Sequence, residues 1–347
     1  MNLFNDPIVR RDPEIFDVGS PLIDLVSGGM LVTGSGGMVM GYLAAVSRNI
    51  REMLGMRASS LGCASRNTRT IPQTGVDFLS LRSAAQWIQT KKPSVVIHGA
   101  SPADPADYIR DPVGCLDTNV TLTRELAMAC ALSGSCLIYI SSGEVYGSDP
   151  KTPTSENNYS ALDHTSARNV YAEAKRAGEA YVLSFARSEG LNTRIVRLFH
   201  TFGPGIRRSD SRVFGGLIDA ALARRPFEMK SNGSKVRTLL YSFDAVSGIA
   251  YVHGRLPSMS VVNVAGSESH SIGEVADVAM SAMVPDLREK VVRLGEEAPT
   301  HQSQVDKNIP SIHLLLSTGW RPQVPLDVAF QRTLESAAWQ REHGEAT

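Results

Sequence analysis

Tyr171 and Lys175 stand four residues apart in "YAEAKRAGEAYV" (171–182), a stretch rich in alanine and free of breakers that reads as a helix. That spacing sets both side chains on one helix face. A free tyrosine, with a pKa of about 10, is a poor base at neutral pH, and a neighbouring ammonium favours its phenolate. The pair can therefore draw a proton from an alcohol. Upstream, the apolar run "CLIYI" (136–140) ends in Ser141, Ser142, Gly143 and Glu144, crowding two hydroxyls and a carboxylate into four positions. Such a run reads as a strand buried on both faces and hence parallel. Ligands of open parallel sheets collect beyond the carboxyl ends of the strands. Ser142 and Glu144 thus join Tyr171 and Lys175 as candidate catalytic groups. Singly, each has a plain structural reading as well: a polar turn capping a helix, or a chance pairing on a helix.

The elements that must position these groups begin with "MLVTG" (30–34), a strand running into "VTGSGGMVMG" (32–41) and a helix over about 38–54. Gly34 allows the sharp turn, and Gly37, with Met38 opening the helix, lets the backbone approach a pyrophosphate at the helix N-terminus. A dinucleotide bound there supplies the hydride acceptor that a Tyr–Lys pair needs. Met40 stands where a third glycine is expected, with Gly41 one residue late. The second strand, over 57–64, runs into "CASRN" (63–67), which carries no acid to hold ribose hydroxyls. Ser65 and Arg66 could instead receive a 2′-phosphate, so NAD and NADP both stay open as cofactor.

Further strands fall at 76–80, 94–100, 136–142 and 193–199, with helices near 81–90, 117–133 and 169–189. This alternation means right-handed βαβ units and an α/β fold, a Rossmann-like doubly wound parallel sheet. After 205 the rhythm breaks into a smaller mixed region, with helices near 213–224, 272–283 and 325–340 and short strands such as "VVNVAG" (261–266). The expected division is an N-terminal arm over 1–29, packed on the body, a dinucleotide-binding domain over 30–204, and a substrate lobe over 205–347 from which some late segments can return to the first domain. At 347 residues the chain can bury roughly 75% of its unfolded surface without staples.

Lys+Arg and Asp+Glu number 35 each, which argues against a broad nucleic-acid or anionic-membrane surface. No apolar stretch reaches the length of a membrane span. Cys63, Cys115, Cys130 and Cys136 lack metal or redox spacing and read as buried reduced thiols of a cytoplasmic protein. No histidine set has metal-ligand spacing.

Together, "TGSGGMVMG", Asp77-Phe78, "IHGAS" (97–101), Asn119, "SSGEVYG", "YAEAK" and "RLFHTFGPG" (197–205) resemble the extended short-chain dehydrogenase/reductase family of nucleotide-sugar enzymes. Weaker matches run to "GWRPQVPL" (319–326). The resemblance implies a catalytic triad of Ser142, Tyr171 and Lys175 that oxidises a sugar at C4 and recycles a tightly bound NAD or NADP. It implies that Asp77 and Phe78 flank the adenine, that Gly99, Ala100 and Ser101 line the cofactor, and that His200, Arg212 and Arg237 touch the substrate of the later lobe. His200 replaces a usual asparagine. Within the family, "ASPADPADYIRDPVGCLDTN" (100–119), "GEVYG" and "RVFGGLIDAAL" (212–222) look most like UDP-glucuronate decarboxylases. In the 4,6-dehydratases an aspartic acid precedes the glutamate, and here that place is Gly143. Glu144 and Arg237 match positions assigned to carboxylate handling and proton delivery in the decarboxylases. 4,6-Dehydratase, epimerase and 4-ketoreductase chemistry remain alternatives, as does a non-catalytic dinucleotide-binding protein. The resemblance also implies a homodimer formed through the helices near 117–133 and 169–189.

Overall fold

The computed structural model describes residues 3–56, 61–66, 76–294 and 305–343. Seven strands form its central sheet: β1 (Met30–Thr33), β2 (Leu61–Ser65), β3 (Val76–Ser80), β4 (Val95–His98), β5 (Cys136–Ser142), β6 (Thr193–Leu198) and β7 (Ser260–Val264). All pairs are parallel, in the order β7-β6-β5-β4-β1-β2-β3. Strand order reverses at β1, where Thr33 lies opposite both Ala64 of β2 and His98 of β4. A crevice opens at such a reversal.

The apolar runs are continuous because each face of the sheet has its own core. Met30, Val32, Ile97, Ile138 and Val196 pack on one side. Leu31, Val96, Leu137, Tyr139 and Ile195 pack on the other. The four cysteines are free and buried, Cys63, Cys130 and Cys136 within these layers and Cys115 in a separate cluster with Tyr108 and Tyr171. No helix among the described residues is long and apolar enough to cross a membrane.

One local expectation is corrected. "VVNVAG", read as part of the mixed region, supplies β7, which extends the main sheet beside β6 with Val262 opposite Val196. Its local pattern is that of any short buried strand, and the distant partner decides where it goes. The second strand is described over Leu61–Ser65; its expected start at 57–60 lies outside the described residues.

The segment before β1 is helical at Pro7–Ile15 and Gly19–Ser27. Asp6 caps the first of these helices, accepting from the Ile8 N–H at 2.9 Å, and its other oxygen accepts from the Ser336 hydroxyl at 2.5 Å. Asp12, fully buried, accepts from the hydroxyls of Tyr42 and Tyr241 and pairs with Arg332. One carboxylate thus ties this segment to the helix after β1 (Met38–Met53) and to the last helix (Leu326–His343). Burial pushes the Asp12 carboxyl up to about 6, against the pull of Arg332.

Past β6 lie the helices Val213–Leu222 and Ile272–Met283 and, among the described residues, three small sheets, one of them pairing Thr201–Phe202 with Leu240–Tyr241. Val236–Thr238 runs between Ser269–Ser271 and Lys307–Asn308, and Phe227–Met229 pairs with Val291–Arg293. These elements face the carboxyl edge of the main sheet and supply the far wall of the cleft.

Candidate active site

A cleft of about 1290 Å³ runs along the carboxyl ends of β1, β2, β4, β5 and β6. At one end lies the glycine turn. Gly34 has φ +83° and donates its N–H to Ala64 O at 2.7 Å; a Cβ there would lie 2.7 Å from the Ala100 nitrogen. Gly37 caps the helix Met38–Met53 with no side-chain cap and no acid in the first turn, which leaves the helix N-terminus to an anion. Met40 is accommodated by Gly99, where a Cβ would fall 2.5 Å from the methionine sulfur. Close packing of the helix passes to Gly41, where a Cβ would come 2.8 Å from Ser35 O. The glycine pattern is displaced by one residue and repaired from β4. Met38, Ser65, Arg66, Gly99, Ala100 and Ser101 all line the cleft, and the buried Ser101 hydroxyl has no hydrogen-bond partner. A glycine cradle, an uncapped helix start and an unpartnered hydroxyl together fit a dinucleotide.

Asp77 and Phe78, expected beside the adenine, are not among the residues that line the cleft. The Asp77 carboxylate accepts from the Trp87 indole at 3.0 Å, and Phe78 packs edge-on against Phe4 of the N-terminal segment at 5.7 Å. On the outer strand β3, the neighbours available locally claim both side chains.

The middle of the cleft holds Ser142, Glu144, Tyr171 and Lys175. Ser142 ends β5 and caps the short turn Gly143–Tyr146, accepting from the Glu144 N–H at 3.2 Å. The capping and the catalytic readings of this serine are therefore compatible. Tyr171 is stacked on Tyr108 with ring centroids 5.1 Å apart at 13°. Lys175, one turn on, is 2% exposed and donates to Ile140 O at 2.7 Å.

Acidity departs from the expectation that the ammonium lowers the phenol. Burial pushes Tyr171 up to about 12, with its Ser142 hydrogen bond opposing and the Glu144 charge adding to the rise. Burial likewise drives Lys175 down to about 7. Desolvation outweighs charge pairing here because both groups sit beneath the cleft floor. A stability prediction follows from the lysine. With its folded pKa below its unfolded value, the unfolded chain binds more protons above pH 7, so stability gains a rising term with pH from about 7. Lys175→Met should lose that rise between pH 7 and 9 in urea unfolding curves; an unchanged slope would contradict the buried-ammonium picture.

Sequence reasoning missed two neighbours. Arg168 pairs with Glu144 at 3.3 Å and lies 5.5 Å over the Tyr108 ring, and Tyr108 in turn backs Tyr171. Arg168 precedes Tyr171 by three residues, so the helical spacing that linked Tyr171 to Lys175 could have found it.

At the far end, His200, Arg212 and Arg237 line the cleft. His200 has φ +22°, and its buried Nδ1 has no partner. Burial, then the charges of Arg237 and Arg212, lower it to about 3, so the imidazole is neutral. Arg237 is spent on three carbonyls, those of Val236, Val305 and Asp306, at 2.7–3.0 Å. Arg212 grips Asp210 through Nε and Nη2 at 2.8 and 2.6 Å.

Behind this wall a buried network fixes the Tyr171 helix. Glu179 accepts from Ser141 at 2.5 Å and from Arg197 at 2.9 and 2.7 Å. Arg197 continues to the Tyr146 hydroxyl at 3.0 Å, which donates to Asn263 of β7 at 2.5 Å.

Residues 30–265 match the NAD dependent epimerase/dehydratase family. The chain belongs to that family. Among curated relatives in the family's nucleotide-sugar branch, UDP-glucuronic acid decarboxylase 1 of Xenopus tropicalis is 30% identical over 253 residues, covering 72% of this chain and 58% of that protein. UDP-glucuronic acid decarboxylase 6 of Arabidopsis thaliana is 28% identical over 231 residues, covering 67% and 66%. The chain thus spans 58% of the length of the first curated relatives it matches. Among solved structures, the UDP-glucuronic acid 4-epimerase of Bacillus cereus, with UDP-glucuronic acid and NAD, superposes with a TM-score of 0.73 at 18% identity, covering 90% of this chain and 99% of that one. At that identity the likeness bears on the fold, and it matches the Rossmann-like sheet described above.

Proposed function

We propose that the protein modifies a nucleotide-diphosphate sugar through a 4-keto intermediate, and that its reaction is the decarboxylation of UDP-glucuronate. The observation that carries this reading is the meeting of Ser142, Tyr171 and Lys175 in one cleft with the glycine turn, beside the Glu144–Arg168 pair. The curated relatives' names support the substrate.

The dinucleotide, when bound, supplies the hydride acceptor and a positive ring charge beside the phenol. Tyr171 removes the proton of the C4 hydroxyl, and Ser142 holds the same oxygen. Lys175, anchored on Ile140 O, would hold the ribose of the bound dinucleotide. Oxidation at C4 makes the C6 carboxylate a β-keto acid. Carbon dioxide leaves with cleavage of the C5–C6 bond, and the electron pair passes to the C4 oxygen, which Tyr171 and Ser142 stabilise as donors. Glu144, steadied by Arg168, is the group assigned to proton delivery at C5; the hydride held by the dinucleotide would then return to C4 as Tyr171 gives its proton back to the C4 oxygen, leaving the UDP-pentose. Gly143 supports decarboxylation over dehydration, since it offers no acid for a departing 6-hydroxyl.

The test is incubation of the purified chain with UDP-glucuronate and dinucleotide. Carbon dioxide release with a UDP-pentose product is expected. Inversion at C4 without release would replace the reading by epimerisation, and a stoichiometric loss of NADPH with a keto substrate would replace it by reduction.

A homodimer is part of the proposal. Val113, Leu116, Met128 and Leu132 on the segment 112–133 are 41–73% exposed, and Tyr181 on the adjoining helix is 37% exposed. Apolar side chains gathered on two packed helices suit a second copy. Leu132→Glu with Met128→Glu should halve the mass seen by light scattering; a wild-type chain that already runs as a monomer would end this part of the reading. Four buried unpaired thiols support a reducing compartment such as the cytoplasm.

A further inference from the structure

We infer that the dinucleotide of this cleft carries a 2′-phosphate, so that the chain takes NADP in preference to NAD. The inference rests on the dinucleotide site of the proposed function and deepens it. A plain ribose is ordinarily held by a carboxylate at the end of the second strand, whereas an arginine there accommodates a 2′-phosphate. Here β2 ends in Ser65 with Arg66 next, and both line the cleft together with Gly36 and Gly37. A Cβ on Gly36 would lie 3.3 Å from the Ser65 Cβ, so the glycine turn and the strand end are in direct contact. A ribose carried by that turn meets a hydroxyl and a guanidinium.

The neighbouring strand supplies no substitute acid. Ser65 stands opposite Ser80 at the end of β3, so two adjacent strands finish in hydroxyls. Asp77 pairs back at Gly62, holds the Trp87 indole and stays out of the cleft. The carboxylate that does approach Arg66 is Asp111, whose Oδ2 lies 3.9 Å from Nη1. Its Oδ1 accepts from the Gly114 N–H at 2.9 Å and so caps a helical turn. The Arg66 and Asp111 side chains are 54% and 56% exposed, which makes theirs a weak, water-screened pair. A phosphate, with charge and geometry matched to the guanidinium fork, displaces it. Asp111 then acts as a placeholder that keeps Arg66 at the cleft rim until the phosphate arrives.

The test is calorimetric titration of the full chain, cleared of carried-over nucleotide, with NADP+ and NAD+. NADP+ should bind about 10-fold more tightly or better, the scale of a charge-assisted contact. Arg66→Ala should remove most of the difference by weakening NADP+ alone. Asp111→Asn, which keeps an oxygen for the Gly114 cap, should strengthen NADP+. In thermal unfolding, adenosine 2′,5′-bisphosphate should protect the wild type more than 5′-AMP does. Equal or tighter binding of NAD+ overturns the NADP assignment and leaves the dinucleotide site standing. Failure of both dinucleotides to bind overturns the site and the inference with it.

Discussion

Tyr171→Phe is expected to lower kcat for UDP-glucuronate decarboxylation by about 10²–10⁴-fold, the range for a positioned proton-transfer group. The substitution keeps the ring stacked on Tyr108 at 5.1 Å and the helix unbroken, and removes only the phenolic oxygen. Folding and dinucleotide binding should therefore survive, since the glycine turn and Ser101 lie on other elements. KM should move far less than kcat, because the lost contact is with the atom that changes charge. Single-turnover measurements with dinucleotide binding recorded alongside would check both halves. Turnover within a few-fold of wild type would remove Tyr171 from the chemistry.

Glu179→Ala is expected to destabilise the fold by about 3–5 kcal/mol, the usual effect of stripping one partner from a buried ion pair. Arg197 would keep its buried guanidinium without the carboxylate that takes two of its hydrogen bonds, and Ser141 would lose its acceptor. Glu179 lies on the same helix as Tyr171 and Lys175, so the loosened helix should also lower kcat in the folded fraction. Urea unfolding gives the stability, and the double change Glu179→Leu with Arg197→Met should recover much of it by burying neither charge. A single-variant loss under about 1 kcal/mol would mean that the network is not what clamps the helix.

The features read correctly from sequence were those whose signals are local. The apolar runs of β1, β4 and β5, the glycines after β1 and the i,i+4 spacing of Tyr171 and Lys175 lie in short windows and need no partner to be recognised. What escaped depends on residues far apart in the chain. The place of β7 beside β6, the fit of Met40 against Gly99 and the three-way grip on Asp12 are products of the folded contacts. The tyrosine's acidity failed for the same reason: charge spacing can be counted along a helix, but burial cannot. The contacts of Asp77 with Trp87 and of Phe78 with Phe4 likewise come from the packing around an outer strand. Tyr108 and Arg168, which stack and pair behind the candidate catalytic groups, lay in stretches whose chemistry is visible only once the helices meet.

A Cβ at Gly143 would fall 2.5 Å from the aromatic ring of Phe199, itself 2% exposed and stacked near Tyr146. An aspartate introduced there would not simply add a missing acid, because the ring already fills the room it needs. Evolution toward a dehydratase from this scaffold would therefore have to shrink the phenylalanine first or change both residues together. Shrinking the ring alone gives up core packing and supplies no acid, so neither change on its own adds dehydratase chemistry to this scaffold.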